Sequence, residues 1–360
     1  MGAGVMGLSA ARALAERGHD VTAVDRFGVG NVMASSSGAT RIWRLAHPDR
    51  ERVRLAIRNA GLWRDLEHRS ERQLLLERGL LWRGGEALQV AESLAAEGVA
   101  HEFLDEAGQH GRFPELQWQP DRPVVWQPEA GVVLAAAALS ASLELFVNAG
   151  GRLVVDAVVT SVDQLTGGGV RVVTPERAYK ADVVVVTVGP WAVDLLADLG
   201  IRVDLHPVLE QVTYVRGGDG PWESRPCLID VPDEGGSFGL YAMPTPGVGF
   251  KIGIDEPIRD FDPTSLDRDL DPARERMTVD RVRQDIPGLD ATPIRSEVCS
   301  WTSSPDDNFI LDRVGDVVIG CGDSGQGFKF LPLIGEVLAD LVDGQPPHAD
   351  AESFGLRRFR

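Results

Sequence analysis

The chain is short of cysteine, of basic charge and of long apolar runs, and each shortage removes a class of protein. Three cysteines, Cys227, Cys299 and Cys321, are too few and too widely spaced for a disulfide framework or a zinc pattern. A reducing cytosol is the expected compartment, and no signal-peptide pattern opens the sequence. The seven histidines fall into no metal-ligand spacing, so no metal is expected. Lys and Arg number 36 against 54 Asp and Glu, and the net charge of −18 argues against nucleic acid or an anionic membrane as partner. The longest apolar stretch, residues 132–147, carries Ser140, Ser142 and Glu144. It is too short and too polar to span a bilayer and is expected to be a packed helix.

What remains is a globular chain. An apolar fraction of 43% with 22 prolines fits a folded protein, and 360 residues suggest two domains. The opening reads Gly2-Ala-Gly4-Val-Met-Gly7, a G-x-G-x-x-G, followed by a helical run over residues 8–17 and a short apolar strand over residues 21–25. This is the second half of a dinucleotide-binding βαβ unit. The glycines make the tight turn and admit a pyrophosphate to the backbone, the helix N-terminus offers free N–H groups, and Asp25 closes the strand to take a ribose hydroxyl. Only Met1 stands where a buried first strand belongs. The expectation is an internal start, with an apolar strand lying before Met1 in the natural chain, or a sheet position filled some other way.

Further along, glycine and serine dominate residues 28–38, a loop. Residues 50–67 have helical spacing, with Val53, Ile57, Leu62 and Leu66 as the apolar stripe. Residues 79–121 mix short strands with a helix over 87–97. Residues 152–158, 170–173 and 178–180 read as strands around a Gly167-Gly-Gly169 turn. The β-branched run over residues 182–189 fits a strand buried on both faces, as in a parallel sheet. Residues 205–301 read as antiparallel strands with Gly and Pro turns. A strand over 316–320, a glycine loop and a helix over 333–342 complete the chain.

The second glycine loop, Gly320-Cys-Gly-Asp-Ser-Gly-Gln-Gly-Phe-Lys329-Phe, follows a strand and precedes a helix, so its N–H groups can face an anion or a polarised carbonyl. Lys329 sits there between two phenylalanines, a place where a lysine commonly snorkels to the surface. Thr40-Arg41-Ile-Trp-Arg44 sets two arginines three apart. Gly249-Phe-Lys251-Ile-Gly253 places a lysine in an apolar run, and lysines are seldom buried unless paired or functional. Cys299 lies in Ser296-Glu-Val-Cys-Ser-Trp-Thr, where a small buried hydrophobe is the ordinary alternative.

In this order the pieces resemble the monomeric sarcosine oxidase and N-methyltryptophan oxidase group of the D-amino-acid-oxidase-like flavoproteins. The resemblance runs over essentially the whole chain. Gly38-Ala-Thr-Arg-Ile-Trp-Arg44, Val186-Thr-Val-Gly-Pro-Trp191, Pro305-Asp-Asp-Asn-Phe309, the Cys299 segment and Ser324-Gly-Gln-Gly-Phe-Lys-Phe330 carry it, together with the opening turn. It implies an α/β FAD-binding domain, Rossmann-like and of the glutathione-reductase type. To this is added an α+β substrate domain with a large, mostly antiparallel sheet. Residues 1–74, 133–203 and 306–345 would form the first, 75–132 and 204–305 the second, and 346–360 a tail.

The resemblance also implies roles. FAD would be held by Gly2, Gly4, Gly7, Asp25, Arg26, Ser37, Thr40, Arg41, Val159, Gly189, Gly325, Gln326, Gly327 and Lys329, and joined covalently to Cys299 through its 8α-methyl. Arg44 and Lys329 would grip a substrate carboxylate, Arg41 would lie against the isoalloxazine, Lys251 would activate oxygen, and Tyr241 would line the pocket. The sequence departs from the group at Ser37 and Asp255, where histidine is common, and at Trp301, where tyrosine is. A carboxylate at Asp255 would favour a substrate ammonium or a second amine over plain sarcosine. The expected activity is oxidation of a secondary, N-methylated or cyclic amino acid to an imine with hydrogen peroxide, by a cytoplasmic monomer whose partners are a small amino acid and molecular oxygen. A flavin dehydrogenase or imino-acid desaturase that does not use oxygen, and an inactive flavin-binding protein, stay open as alternatives.

Overall fold

Glycine at residue 2 is a steric requirement. Its backbone holds φ +83°, and a Cβ there would sit 2.4 Å from the Thr187 carbonyl oxygen. From this turn the helix Val5–Glu16 starts inside the glycine motif, with Gly4 as N-cap. The computed structural model describes residues 1–232, 238–346 and 349–359. Thr22–Val24 pairs in parallel with Arg152–Val154, and Val184–Val186 pairs in parallel with Val317–Cys321, which runs antiparallel to Ile310–Val314. The expected first strand would lie between these two groups. Among the described residues no other strand fills that position. Met1 and Gly2 span it instead. The Gly2 N–H donates to Val24 O at 2.8 Å on one side; on the other, the Met1 ammonium donates to Val185 O at 2.7 Å and the Thr187 N–H donates to Met1 O at 2.9 Å. The turn is thus pinned to both halves of the sheet by two residues.

Two helices press on this sheet and on each other. Leu331–Val342 crosses Val5–Glu16 so closely that a Cβ at Gly335 would stand 2.2 Å from Ser9 Oγ. Arg50–Ser70 is started by Asp49, whose carboxylate accepts from the Arg52 N–H at 2.8 Å. Its buried face runs through Val53, Ala56, Ala60, Trp63 and Leu66, while Ile57, expected in the stripe, is 39% exposed. Val53 and Leu66 are buried as the stripe predicts and Leu62 packs half-buried against the core, while alanines and a tryptophan fill the rest of that face. The run over 132–147 also divides. Gly131–Leu134 is a strand paired on both sides, with Thr40–Trp43 and Leu75–Glu77, and the helix begins only at Ala135. Two neighbouring strands with open edges outweigh the helical pattern at Val132 and Val133.

The other large element is a nine-stranded sheet, counted over the described residues. Its path runs Arg259–Asp260, His206–Val215, Gly249–Ile254, Leu240–Thr245, Cys227–Val231, Leu80–Gly84, Val124–Gln127 and Glu102–Phe103, with Pro293–Ser303 also paired to His206–Val215. All pairings are antiparallel except Cys227–Val231 with Leu80–Gly84. The helix Pro272–Asp285 interrupts what the sequence suggested to be continuous strands. Its start is marked by Asp271 as N-cap and Pro272 at the first turn. It packs Val279 and Val282 with Phe250, Ile252 and Ile254 on one face of the sheet. Strand alternation therefore turns Lys251, Gly253 and Asp255 to the opposite face. No helix among the described residues is long and apolar enough to cross a membrane.

Candidate active site

Two cavities meet at Val5, Ser35 and Asp323. The first, about 320 Å³, is lined by Gly2, Gly4, Asp25, Arg26, Ser36, Val159, Thr187, Gly189, Trp191 and Thr302. The Asp25 carboxylate organises this end. Its Oδ2 accepts from the Ala3 N–H at 2.7 Å, and its Oδ1 accepts from Phe27 and Gly28 N–H groups at 2.8 and 2.6 Å. One Oδ2 lone pair is left for a ligand. Ser36 Oγ accepts from the Val5 N–H at 2.8 Å at the helix start. Trp191 Nε1 and Thr302 Oγ1 are buried, border the cavity and find no hydrogen-bond partner.

The second cavity, about 1080 Å³, lies over the sheet face carrying Lys251. Of the chain's three lysines, Lys251 and Lys329 both line it. Arg41, Arg44 and Arg52 line it as well. Lys251 is 4% exposed, donates from Nζ to Thr40 O at 3.1 Å and stands 5.9 Å from the Tyr214 ring centroid. Burial first, then Arg41, lowers its pKa to about 7. Arg41 is fixed by the carbonyls of Thr40, Ser35 and Ser37. The Arg44 guanidinium lies 4.8 Å from the Trp82 ring and donates to Ala46 O. Lys329 is held from behind: its carbonyl accepts from Asn59 Nδ2 at 2.7 Å and Trp63 Nε1 at 2.9 Å, both on the Arg50–Ser70 helix. Burial, then Arg44 and Arg52, pushes the Lys329 ammonium well below its ordinary pKa. Cations that disfavour one another in this way form a site that a bound anion would stabilise.

Cys299 and Tyr241 border the same space. Burial raises the Cys299 thiol, while Arg41 and Lys251 pull it down. Tyr241 covers Gly253, where a Cβ would lie 2.3 Å from its hydroxyl. Asp255 opens into the cavity on the Lys251 face and feels Lys329 and Arg44 electrostatically.

A model of the family described as FAD dependent oxidoreductase matches residues 1–341. The chain belongs to that family. It is similar to the monomeric sarcosine oxidase of Streptomyces avermitilis, 31% identical over 95% of this chain and 92% of that protein. The N-methyl-L-tryptophan oxidase of Yersinia pestis is 26% identical over 100% of this chain and 98% of its own. Among solved structures, the open form of NikD, an unusual amino acid oxidase essential for nikkomycin biosynthesis, superposes with a TM-score of 0.88 at 28% identity, covering 98% of this chain and 95% of that one.

The residues present fit the family's FAD. The glycine turn leaves no room for a side chain, two unpartnered donors face the first cavity, and a cation-lined cavity adjoins it. Of the residues expected at the cofactor, Gly2, Gly4, Asp25, Arg26, Val159 and Gly189 line the first cavity, and Arg41, Cys299, Gly325, Gln326 and Lys329 line the second. Ser37, Thr40, Gly7 and Gly327 line neither. Ser37 offers its carbonyl to Arg41, and the neighbouring Ser35 and Ser36 face the cavities in its place. Thr40 gives its carbonyl to Lys251, and its hydroxyl meets Thr245 Oγ1 at 2.7 Å. Gly7 lies behind the turn, where a Cβ would be 1.9 Å from Gly2 O and 2.4 Å from Thr187 Oγ1. Gly7→Ala is therefore expected to open the turn, destabilise by about 1–3 kcal/mol and lower flavin content. The 450-to-280 nm absorbance ratio and the melting temperature of purified protein check this.

Two cavity residues escaped the sequence. Arg52 reads as an ordinary first-turn helix residue, yet it donates to Asn308 Oδ1 and to Gln326 Oε1 at 3.5 Å, and lies over Phe309 at 4.7 Å. His47 is 3% exposed, sits 5.7 Å from the Phe330 ring centroid and has no partner for Nε2. Burial, then Arg44, Lys329 and Arg52, drives its pKa well below the ordinary histidine value and keeps it neutral. Neither stands in a motif; only the packing of the Arg50–Ser70 helix against the Lys329 loop brings them in.

Proposed function

We propose that this protein oxidises secondary or N-methylated α-amino acids with FAD held covalently by Cys299, and delivers the electrons to oxygen. The observation that carries the reading is the cluster of Arg41, Arg44, Lys251 and Lys329 around one cavity in a chain of net charge −18. Bound FAD supplies the acceptance of two electrons from the carbon beside the amine. Arg44 offers a planar fork to the substrate carboxylate, and Lys329 a second positive charge. The surrounding cations disfavour an ammonium, so the amine is held in the unprotonated form that oxidation needs. Asp255, which borders the same cavity, supports a substrate larger than sarcosine, with a second amine directed there. Lys251 supports oxygen as acceptor, because a buried cation stabilises developing superoxide. The product is an imine with peroxide, made by a monomer in the cytosol.

A peroxide-coupled screen over sarcosine, N-methyl amino acids, pipecolate and proline tests the activity. Peroxide in stoichiometric yield under air is expected; turnover of an artificial acceptor without peroxide would identify a dehydrogenase. Attachment is tested separately. Acid-precipitated wild-type protein is expected to stay yellow and Cys299→Ala to release all its flavin, whereas complete acid extraction from wild type would end the covalent assignment.

A further inference from the structure

Glu210 stands directly opposite Cys299 in the ladder between His206–Val215 and Pro293–Ser303. Residues opposed in an antiparallel pair project to the same face, with Cβ atoms about 4.5–5.5 Å apart. Glu210 therefore shares with Cys299 the face that carries Lys251 and Tyr241. It is 0% exposed. Its Oε1 accepts from the Gln211 N–H at 2.8 Å, and Arg274 Nη1 approaches that oxygen only to 3.7 Å. Its Oε2 is buried and has no hydrogen-bond partner. A carboxyl oxygen left unsatisfied in the interior destabilises the fold, and such groups call for a functional explanation.

We propose that Glu210 is the proton acceptor that drives formation of the bond between Cys299 and flavin. The inference rests on the covalent reading above. In the overall step the Cys299 Sγ bonds to the 8α carbon. The thiol and the 8α-methyl each give up one proton, and the electron pair of the broken C–H bond passes to the flavin. Molecular oxygen then takes those two electrons with the two protons as hydrogen peroxide, leaving oxidised flavin. Glu210 takes the thiol proton and hands it on. Burial and the Glu210 carboxylate itself hold the Cys299 thiol above its ordinary pKa, and Arg41, Lys251 and Arg268 offset part of that rise. Burial, against the pull of Arg274, lifts the Glu210 carboxyl well above the ordinary carboxylate range, which makes its ionised form a stronger base than an exposed carboxylate.

The test uses the full chain produced with limiting riboflavin and then given FAD. Bound FAD is measured by absorbance, and covalent flavin by fluorescence of the denatured band. Glu210→Gln is expected to bind FAD as wild type does and to form the adduct roughly 100-fold or more slowly. Glu210→Asp should restore part of the rate, and Cys299→Ala should form none. Should the Gln variant not fold, the Asp variant decides alone: slowed attachment with normal FAD binding supports the role. Attachment at the wild-type rate in either folded variant overturns it. Parallel loss of FAD binding and attachment in both variants also overturns it, in favour of a structural role. Flavin extracted intact from wild type by acid sinks the covalent reading itself, an outcome distinct from normal attachment without Glu210.

Discussion

Lys251→Met is expected to be reduced by substrate at a near-normal rate and to reoxidise in air about 10²- to 10³-fold more slowly, the scale of losing one preorganised electrostatic group. Methionine keeps the length and most of the bulk of the side chain, so packing between the neighbouring strands survives. What is lost is a buried charge already in place before oxygen arrives. Nζ spends one donor on Thr40 O, and the cavity lies on its open side. The pH dependence follows in sign. The ammonium is the active form, and burial lowers its pKa to about 7. Reoxidation should therefore be constant at low pH and fall as pH rises through the group's pKa. A reduced, anionic ring nearby would by its charge move that midpoint upward. The Met variant should show no such limb. Stopped-flow traces of the reductive and oxidative half-reactions over pH 6–10 check both points; equal loss in the two half-reactions would make Lys251 a structural or substrate-binding residue.

Removing either half of the carboxylate clamp should act on binding. A charge-assisted contact to an anionic substrate is worth about 1.5–3 kcal/mol, so Arg44→Ala or Lys329→Ala is expected to raise KM roughly 10- to 100-fold. Lys329 should show the purer effect, because its loop is fixed through its backbone carbonyl by Asn59 and Trp63 and not through its ammonium. Arg44→Ala also gives up packing against Trp82. An amine of the same shape without a carboxylate provides the control: its kinetics should hardly change between wild type and either variant. Unchanged KM for the amino acid in both variants would reject the clamp.

Several elements were legible in the chain alone because their signals are local. A G-x-G-x-x-G can be followed at once by a helix, and its glycines are dictated by contacts at Gly2 and Gly7 that any side chain would violate. The antiparallel strands around Lys251 announce themselves by the Gly and Pro turns between them, and the segment around Cys299 by its motif. Other elements were lost where neighbours decide. Val132 and Val133 read as helix until two strands claim them. Pro272–Asp285 was hidden in a region read for strands, although Asp271 and Pro272 signal its start.

The division is sharpest at the candidate site. By itself the sequence determined the chemistry on offer: a nucleotide turn, a lone cysteine in a strand, and lysines and arginines in otherwise apolar runs. Those are properties of residue type and short spacing. Only the tertiary structure decided which cations face one another. It brings Lys329 to Arg44 across some 285 residues of chain by laying the glycine loop on the Arg50–Ser70 helix, and adds Arg52 and His47, which no motif marks. It also set Glu210 opposite Cys299, through a strand register joining segments far apart in sequence. Mutual repulsion, burial and the shifted proton affinities that follow depend on distance in space. No reading of one residue after another contains those distances.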